Sequence, residues 1–258
     1  MLVNLKDKYV VITGASSGFG RAAAVAFAGE GAHLILGARR VERLNETAMM
    51  ACKAGAASVL VVPVDVTRTE SVEDFGNTIA QTTKSVQVLI NNAGGALGVD
   101  TVLNGKDEDW ETMLQTNVLG LLRVTRKVAP LMLTTEGATI INVGSIAGRI
   151  AYEGGSVYCG AKAAELQITK ALRLELCGTP VRVTSLDPGM AETDFSLVRY
   201  KGDAEKAAAV YKGVHPLCAE DIAETMLWLA KRPAHVCIDE MVIKPVAQAA
   251  PYKVFRKE

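Results

Sequence analysis

Residues 9–30 read as strand, glycine turn and helix, and this order repeats along the chain, which restricts the fold more than any other feature. Tyr9–Thr13 is a short apolar, β-branched run that stops at Gly14. Gly18 and Gly20 follow, then an alanine-rich helical segment, Arg21–Glu30, ended by Gly31. The second strand is His33–Leu36. After it come helix Glu42–Lys53, strand Ser58–Pro63, helix Ser71–Lys84 and strand Val88–Asn91. A glycine-containing loop, Gly94–Gly105, precedes a long helical stretch, Asp107–Thr134. Strand Ala138–Val143, helix Ser156–Leu176 and strand Val181–Leu186 continue the alternation, and helix Ala219–Ala230 and strand Val236–Ile243 close it. The strands are nearly all-apolar, as required when helices cover both faces of a parallel sheet. The expectation is an α/β, Rossmann-type doubly wound fold of about seven strands, one domain over residues 1–258. Residues 189–213 are less regular and stand where such a fold carries a substrate-side lid. Residues 244–258, with Pro245 and Pro251, have no periodicity and are expected to lie against a neighbouring subunit or to be a loosely ordered terminus.

The turn TGASSGFG (Thr13–Gly20) sits in the first βαβ unit. Glycine permits a tight turn and lets backbone N–H groups and a helix N-terminus approach a pyrophosphate. The spacing differs from GxGxxG, and a glycine turn between strand and helix can also be only structural. The second strand ends in LGARR, where an NAD site usually places an acid for the ribose hydroxyls. Ala38 stands there instead, followed by Arg39 and Arg40. Two guanidiniums and no carboxylate favour an added phosphate, hence NADP(H) over NAD. Asp65, after the third strand, is placed to accept from the adenine amino group or to cap the next helix, although Thr69 is better placed as that cap.

Ser145 ends an apolar run, and Tyr158 follows thirteen residues later with Lys162 four positions beyond it. On a helix, Tyr158 and Lys162 lie one turn apart on the same face. An ammonium beside a phenol stabilises the phenolate. A phenol working as acid and base near neutral pH needs its pKa lowered from about 10 by roughly three units. The same spacing also suits a lysine that merely lays its stem along an aromatic body.

Charge argues against some partners. Lys and Arg number 28, equal to Asp and Glu, so nothing calls for nucleic acid or an anionic membrane. No run approaches about eighteen apolar residues, and MLVNLKDKY lacks the core of a signal peptide. Cys52, Cys159, Cys177, Cys218 and Cys237 are scattered and read as reduced intracellular residues, which points to the cytoplasm. His33, His215 and His235 are too far apart to suggest a metal site. Apolar content of 49% is high for a monomer and is explained by burial between subunits or by a generous core.

Thr13–Gly20, Asp65, Asn91–Gly94 (NNAG), Asn117, Ser145, Tyr158–Lys162 and Pro188–Gly189 together resemble the short-chain dehydrogenase/reductase family, over essentially the whole chain. The resemblance implies that Tyr158 is the acid/base, that Ser145 orients the carbonyl or hydroxyl, and that Lys162 binds ribose and acidifies the phenol. Asn117 would hold a helix backbone open around a water that relays protons to Lys162. Implied cofactor contacts come from Gly14, Ser16, Ser17, Gly18, Phe19 and Gly20, from Arg39, Arg40, Asp65 and Val66, from Asn92, Ala93 and Gly94, from Tyr158 and Lys162, and from Pro188, Gly189, Met190 and Thr193. Asn91 would be mainly structural.

DWETM (109–113), Pro188–Asp203 and Pro233–Ala249 look like the NADP-dependent 3-hydroxy acid dehydrogenases, which resemble sulfoacetaldehyde reductases. That group implies a homotetramer and interconversion of a small 3-hydroxy acid, serine-like or 3-hydroxypropionate-like, with its 3-oxo acid or semialdehyde. An anionic substrate would suit Arg149 or Arg199, with Tyr152 beside them, unless Glu153 or Asp194 takes up an arginine. The alternatives are a reductase of another small or apolar carbonyl (sulfoacetaldehyde, 3-oxoacyl, steroid or polyol), a nucleotide-sugar epimerase, for which the chain is short, or a dinucleotide-sensing protein without turnover.

Overall fold

In the computed structural model, which describes residues 1–257, the elements follow in order: β1 (Tyr9–Thr13), α1 (Gly18–Ala28), β2 (His33–Ala38), α2 (Val41–Ala54), β3 (Ser58–Pro63) and α3 (Thr69–Thr82). Next come β4 (Val88–Asn91), α4 (Asp107–Leu114), a π turn (Gln115–Leu119), α5 (Gly120–Val128), β5 (Thr139–Val143), α6 (Ser156–Glu175) and β6 (Arg182–Pro188). The chain continues through α7 (Asp194–Arg199), α8 (Ala204–Ala209), α9 (Ala219–Ala230), β7 (Glu240–Ile243), β8 (Gln248–Ala250) and β9 (Lys253–Val254). Seven strands form one sheet in the order β3-β2-β1-β4-β5-β6-β7, every pair parallel. The order reverses between β1 and β4, and a crevice opens there at the carboxyl ends of the strands.

Successive strand residues point to opposite faces, and both faces are apolar because both are covered. Val10, Ile12, Leu34, Leu36, Val88 and Ile90 join Phe27, Leu44, Ile222 and Met226 in one cluster. Val11, Ile35 and Leu89 point the other way, onto Val72, Phe75, Ile79, Val124 and Val128. Helices α1, α2 and α9 thus close one side, and α3 and α5 the other. Phe27 and Phe75 are fully buried, and burial of this kind contributes about 1.5–3 kcal/mol per side chain.

Four expectations are corrected. The long helix over 107–134 is interrupted, because the Asn117 side chain draws the backbone at 115–119 into a π turn. Strand β7 covers only 240–243 rather than 236–243. The Val236 carbonyl is instead taken by Arg182 Nη1 (3.2 Å), and only from the Asp239 carbonyl, which accepts from the Ser185 amide (3.0 Å) as well as from Arg173 Nη2 (2.6 Å), does the ladder to β6 begin. Thr69 does not cap α3; Arg68 holds that position, with no side-chain bond. The tail is not featureless: β8 and β9 pair antiparallel, and Arg256 and Lys257 bond to the backbone of residues 210–213. Glu258 lies outside the described residues.

Candidate active site

The site begins in the turn after β1, where Gly14 and Gly18 have φ of +65° and +50°, conformations that favour glycine. A Cβ at Gly14 would stand 2.8 Å from Asn92 Nδ2, and one at Gly20 would stand 2.5 Å from the Gly14 carbonyl oxygen. Asn92 fixes this packing by donating through Nδ2 to the carbonyls of Thr13 (3.0 Å) and Gly14 (3.2 Å). Backbone and α1 therefore make a cradle in which side chains would occupy the space. Ser16, Ser17, Gly18 and Phe19 line the adjoining cleft, a cavity of about 540 Å3.

At the end of β2 the cleft is cationic. Arg40 Nη2 donates to Ser17 Oγ (2.9 Å) and Ser16 Oγ (3.3 Å), and Arg39 lines the same wall. Partial burial and the neighbouring Arg43 charge lower the Arg40 pKa, the mark of cations gathered without a full counter-charge. Asp65 and Val66 form the facing wall. Burial raises the Asp65 carboxyl, but the Thr67 hydroxyl (2.7 Å) and amide (3.0 Å), with Arg39 and Arg68, hold it below its ordinary value. A glycine cradle beside an arginine pair suits a dinucleotide carrying an extra ribose phosphate.

Helix α6 places Tyr158 and Lys162 on the cleft wall, one turn apart and both buried. Lys162 Nζ donates to the Val143 carbonyl (2.8 Å) and to Glu165 Oε2 (2.7 Å). Ser145, at the end of β5, accepts through Oγ from the Ala147 amide (3.1 Å), so its O–H remains available to donate into the cleft. Asn117 is buried outside the cleft wall. Its Nδ2 donates to the carbonyls of Met113 (2.7 Å) and Gly95 (2.9 Å), and its Oδ1 accepts from the Gly95 amide (3.0 Å). That clasp holds the loop bearing Ala93 and Gly94 against the cleft; a Cβ at Gly94 would meet Asn117 Oδ1 at 2.7 Å. Asn91 lies behind it, donating to Thr125 Oγ1 and Asn142 Oδ1 (both 2.9 Å).

Pro188, Gly189, Met190 and Thr193 carry the cleft onward from β6. Thr193 Oγ1 accepts from the Phe195 amide (3.2 Å) as the cap of α7, leaving its hydroxyl proton to donate. The less regular 189–213 region contains the two short helices α7 and α8. Arg199, at the end of α7, donates from Nε to the Gly98 carbonyl (3.1 Å) and from Nη1 to the Tyr152 hydroxyl (2.9 Å). Its guanidinium carbon stands 5.4 Å and 5.9 Å from the ring centres of Tyr152 and Tyr158. Among the described residues no carboxylate pairs with it, since Asp194 is held by Arg43 at 2.8 Å. Burial pushes the Tyr152 hydroxyl up despite the nearby Arg199 charge, so Tyr152 stays a neutral phenol.

Arg149 corrects the expectation of a substrate contact. Its Nε donates to Asp187 Oδ2 (2.6 Å) and its Nη2 to Glu240 Oε2, and it does not line the cleft. Asp187 is almost wholly buried and needs that cation, which burial disfavours but the two carboxylates keep protonated. Three contributors went unnoticed in the sequence. Tyr211 lines the cleft and bonds to Ser196 Oγ (2.6 Å), Gln248 Oε1 accepts from the Met190 amide (2.7 Å), and Glu165 lies under Lys162. Only Glu165 left a signal: an acid one turn beyond Lys162 on a helix that is otherwise apolar there.

Among the described residues no helix is long and apolar enough to cross a membrane, and no group of three or more His, Cys, Asp or Glu could hold a metal ion. A family profile described as short chain dehydrogenase matches residues 8–203. An NADP-dependent 3-hydroxy acid dehydrogenase of Schizosaccharomyces pombe is 42% identical over 255 residues, covering 98% of each chain. A sulfoacetaldehyde reductase of Chromohalobacter salexigens is 44% identical over 241 residues, 93% of this chain and 94% of that one. The closed form of a serine dehydrogenase complexed with NADP+ superimposes with a TM-score of 0.89 at 37% identity, covering 97% of this chain and 100% of the other. The glycine cradle, the cationic end of β2 and the tyrosine–lysine wall thus stand in a chain that belongs to the short-chain dehydrogenase family.

Proposed function

We propose that the protein interconverts a small 3-hydroxy acid and its 3-oxo acid or semialdehyde, with NADP(H) as redox partner. The glycine turn, Arg39, Arg40 and Thr193 hold that cofactor, which when bound supplies or accepts a hydride. Tyr158 gives its phenolic proton to the substrate oxygen during reduction and takes it back during oxidation. Ser145 donates a hydrogen bond to the same oxygen, and Lys162 keeps positive charge beside the phenol. Arg199 receives the acid group, with the neutral Tyr152 hydroxyl available to donate to it.

One observation carries the substrate class: a guanidinium without a carboxylate partner among the described residues stands beside the phenol at the cleft. A purely apolar carbonyl compound would leave that charge uncompensated; a small anion completes it. The same chemistry accommodates a carboxylate or a sulfonate, and relatives of the two kinds have similar identity to this chain. NADPH absorbance followed with serine, 3-hydroxypropionate, sulfoacetaldehyde and a long-chain 3-oxoacyl thioester tests the reading. Turnover of the small acids is expected, and turnover of the thioester alone would overturn it. Tyr158→Phe is expected to lower kcat by about 10²–10⁴-fold with NADPH affinity nearly unchanged. The reading extends to a cytoplasmic homotetramer, as the resemblance implies, with the exposed Val246, Tyr252 and Phe255 of the tail as apolar surface for a subunit contact. Sedimentation velocity tests that state.

A further inference from the structure

Lys162 and Glu165 form a buried ion pair on α6, with side-chain exposures of 7% and 3% and a separation of 2.7 Å. Such a pair adds little stability, because removing both charges from water offsets most of their attraction. An apolar residue would fill the Glu165 position at lower cost. The Val143 carbonyl (2.8 Å) already gives the lysine one acceptor, so Glu165 supplies something that carbonyl cannot, which is negative charge.

The surrounding charges define what that negative charge does. Tyr158 lies one turn before Lys162 on α6. From β6, Asp187 contributes a second carboxylate, but it accepts from Ser185 Oγ (2.7 Å) and is paired with Arg149, so its charge is largely answered there. The π turn brings the uncharged Asn117 near the lysine, since a Cβ at Gly94 would meet both Asn117 Oδ1 (2.7 Å) and Lys162 Nζ (3.5 Å), and the 3-10 turn after Ser145 ends in Arg149, already engaged. From α7, Arg199 stands with its guanidinium carbon 5.9 Å from the Tyr158 ring centre and favours the phenolate, opposing Glu165. Among the described residues Glu165 is therefore the one carboxylate bonded directly to the ammonium beside the phenol.

We propose that Glu165 is a positioning residue for the reaction: its carboxylate fixes the Lys162 ammonium, and its charge keeps the Tyr158–Lys162 pair protonated to higher pH than the pair would reach alone. This rests on the acid/base role given to Tyr158 above. Removing an anion beside two groups that share titration makes the first proton leave more easily, whichever group releases it. Burial, opposed by Lys162 and assisted by Asp187, pushes the Glu165 carboxyl up to about 7, so the effect is full above neutral pH and fades below it. Carbonyl reduction, which requires the protonated phenol, is thereby extended into mildly alkaline conditions.

Glu165→Gln and Glu165→Asp test the proposal in apoprotein labelled with 13C at tyrosine Cζ and lysine Cε, the Tyr158 signal being assigned with Tyr158→Phe. The first proton loss from the pair is expected to fall by about three pH units in Glu165→Gln, the size of a unit charge about 4 Å away at an effective dielectric near 20. The alkaline limb of kcat for reduction is expected to move with it, and Glu165→Asp to recover most of the shift. An unmoved titration overturns the proposal, as does an equal loss of activity in both variants at every pH, which marks a merely structural role. Turnover retained by Tyr158→Phe overturns the acid/base reading itself, and the titration, which needs no substrate, tells the two failures apart.

Discussion

The turn after β1 and the lid after β6 face the same cleft, yet they are built by opposite means. The first is backbone: three glycines, a helix start and one asparagine, brought together by residues 13–20 and their neighbour strand. The second is side chains drawn from afar: Arg199 bonds to Gly98 and Tyr152, and Gln248 reaches Met190 across 58 positions. A backbone-built wall tolerates few substitutions and reads the part of a ligand that never varies. A wall assembled from distant side chains can be changed one contact at a time, which suits the variable end of a substrate.

The contrast can be broken experimentally. Gly20→Val should be the most severe change, since its Cβ would stand 2.6 Å from Asn92 Nδ2 as well as against the Gly14 carbonyl. NADPH affinity by fluorescence titration is expected to fall by about 100-fold or more. Arg199→Met is expected to raise KM for an acid substrate about 10- to 100-fold while leaving NADPH affinity within about twofold, because one charge-assisted contact is lost. An equal loss with an uncharged analogue of the substrate would show that Arg199 serves the lid rather than the ligand. Arg40→Ser is expected to reduce the NADPH over NADH preference in kcat/KM by about tenfold, a partial loss because Arg39 remains. Arg149→Met should have the smallest effect on kinetics, with KM within about threefold. It should lower Tm, because the buried Asp187 then loses its cation, at a cost of about 1–3 kcal/mol. A larger change in KM than in Tm would return Arg149 to the substrate.

The same contrast explains what could be read from the chain beforehand. The succession of strands and helices, the glycine cradle and the spacing of Tyr158 and Lys162 depend on local pattern, and each lies where the sequence places it. Arg149 and Arg199 could not be told apart, because the partners of Arg149 stand 38 and 91 positions away. Strand β7 was overdrawn for a similar reason: the Val236 carbonyl, which an isolated apolar run would offer to a ladder, is taken by Arg182 of β6. The tail gave no period because three-residue and two-residue strands are too short to show one.

The Asn117 amide gives two hydrogens and takes one, meeting both polar groups of Gly95 much as one strand meets its neighbour. Its closest look-alike in outline is also the worst replacement. Asn117→Asp would alter the shape hardly at all, yet it would set a negative oxygen against the carbonyls of Met113 and Gly95 in a place water does not reach. Exchanging one nitrogen for one oxygen at this one side chain would thus unfasten the loop over the cleft while leaving the outline of the fold unchanged.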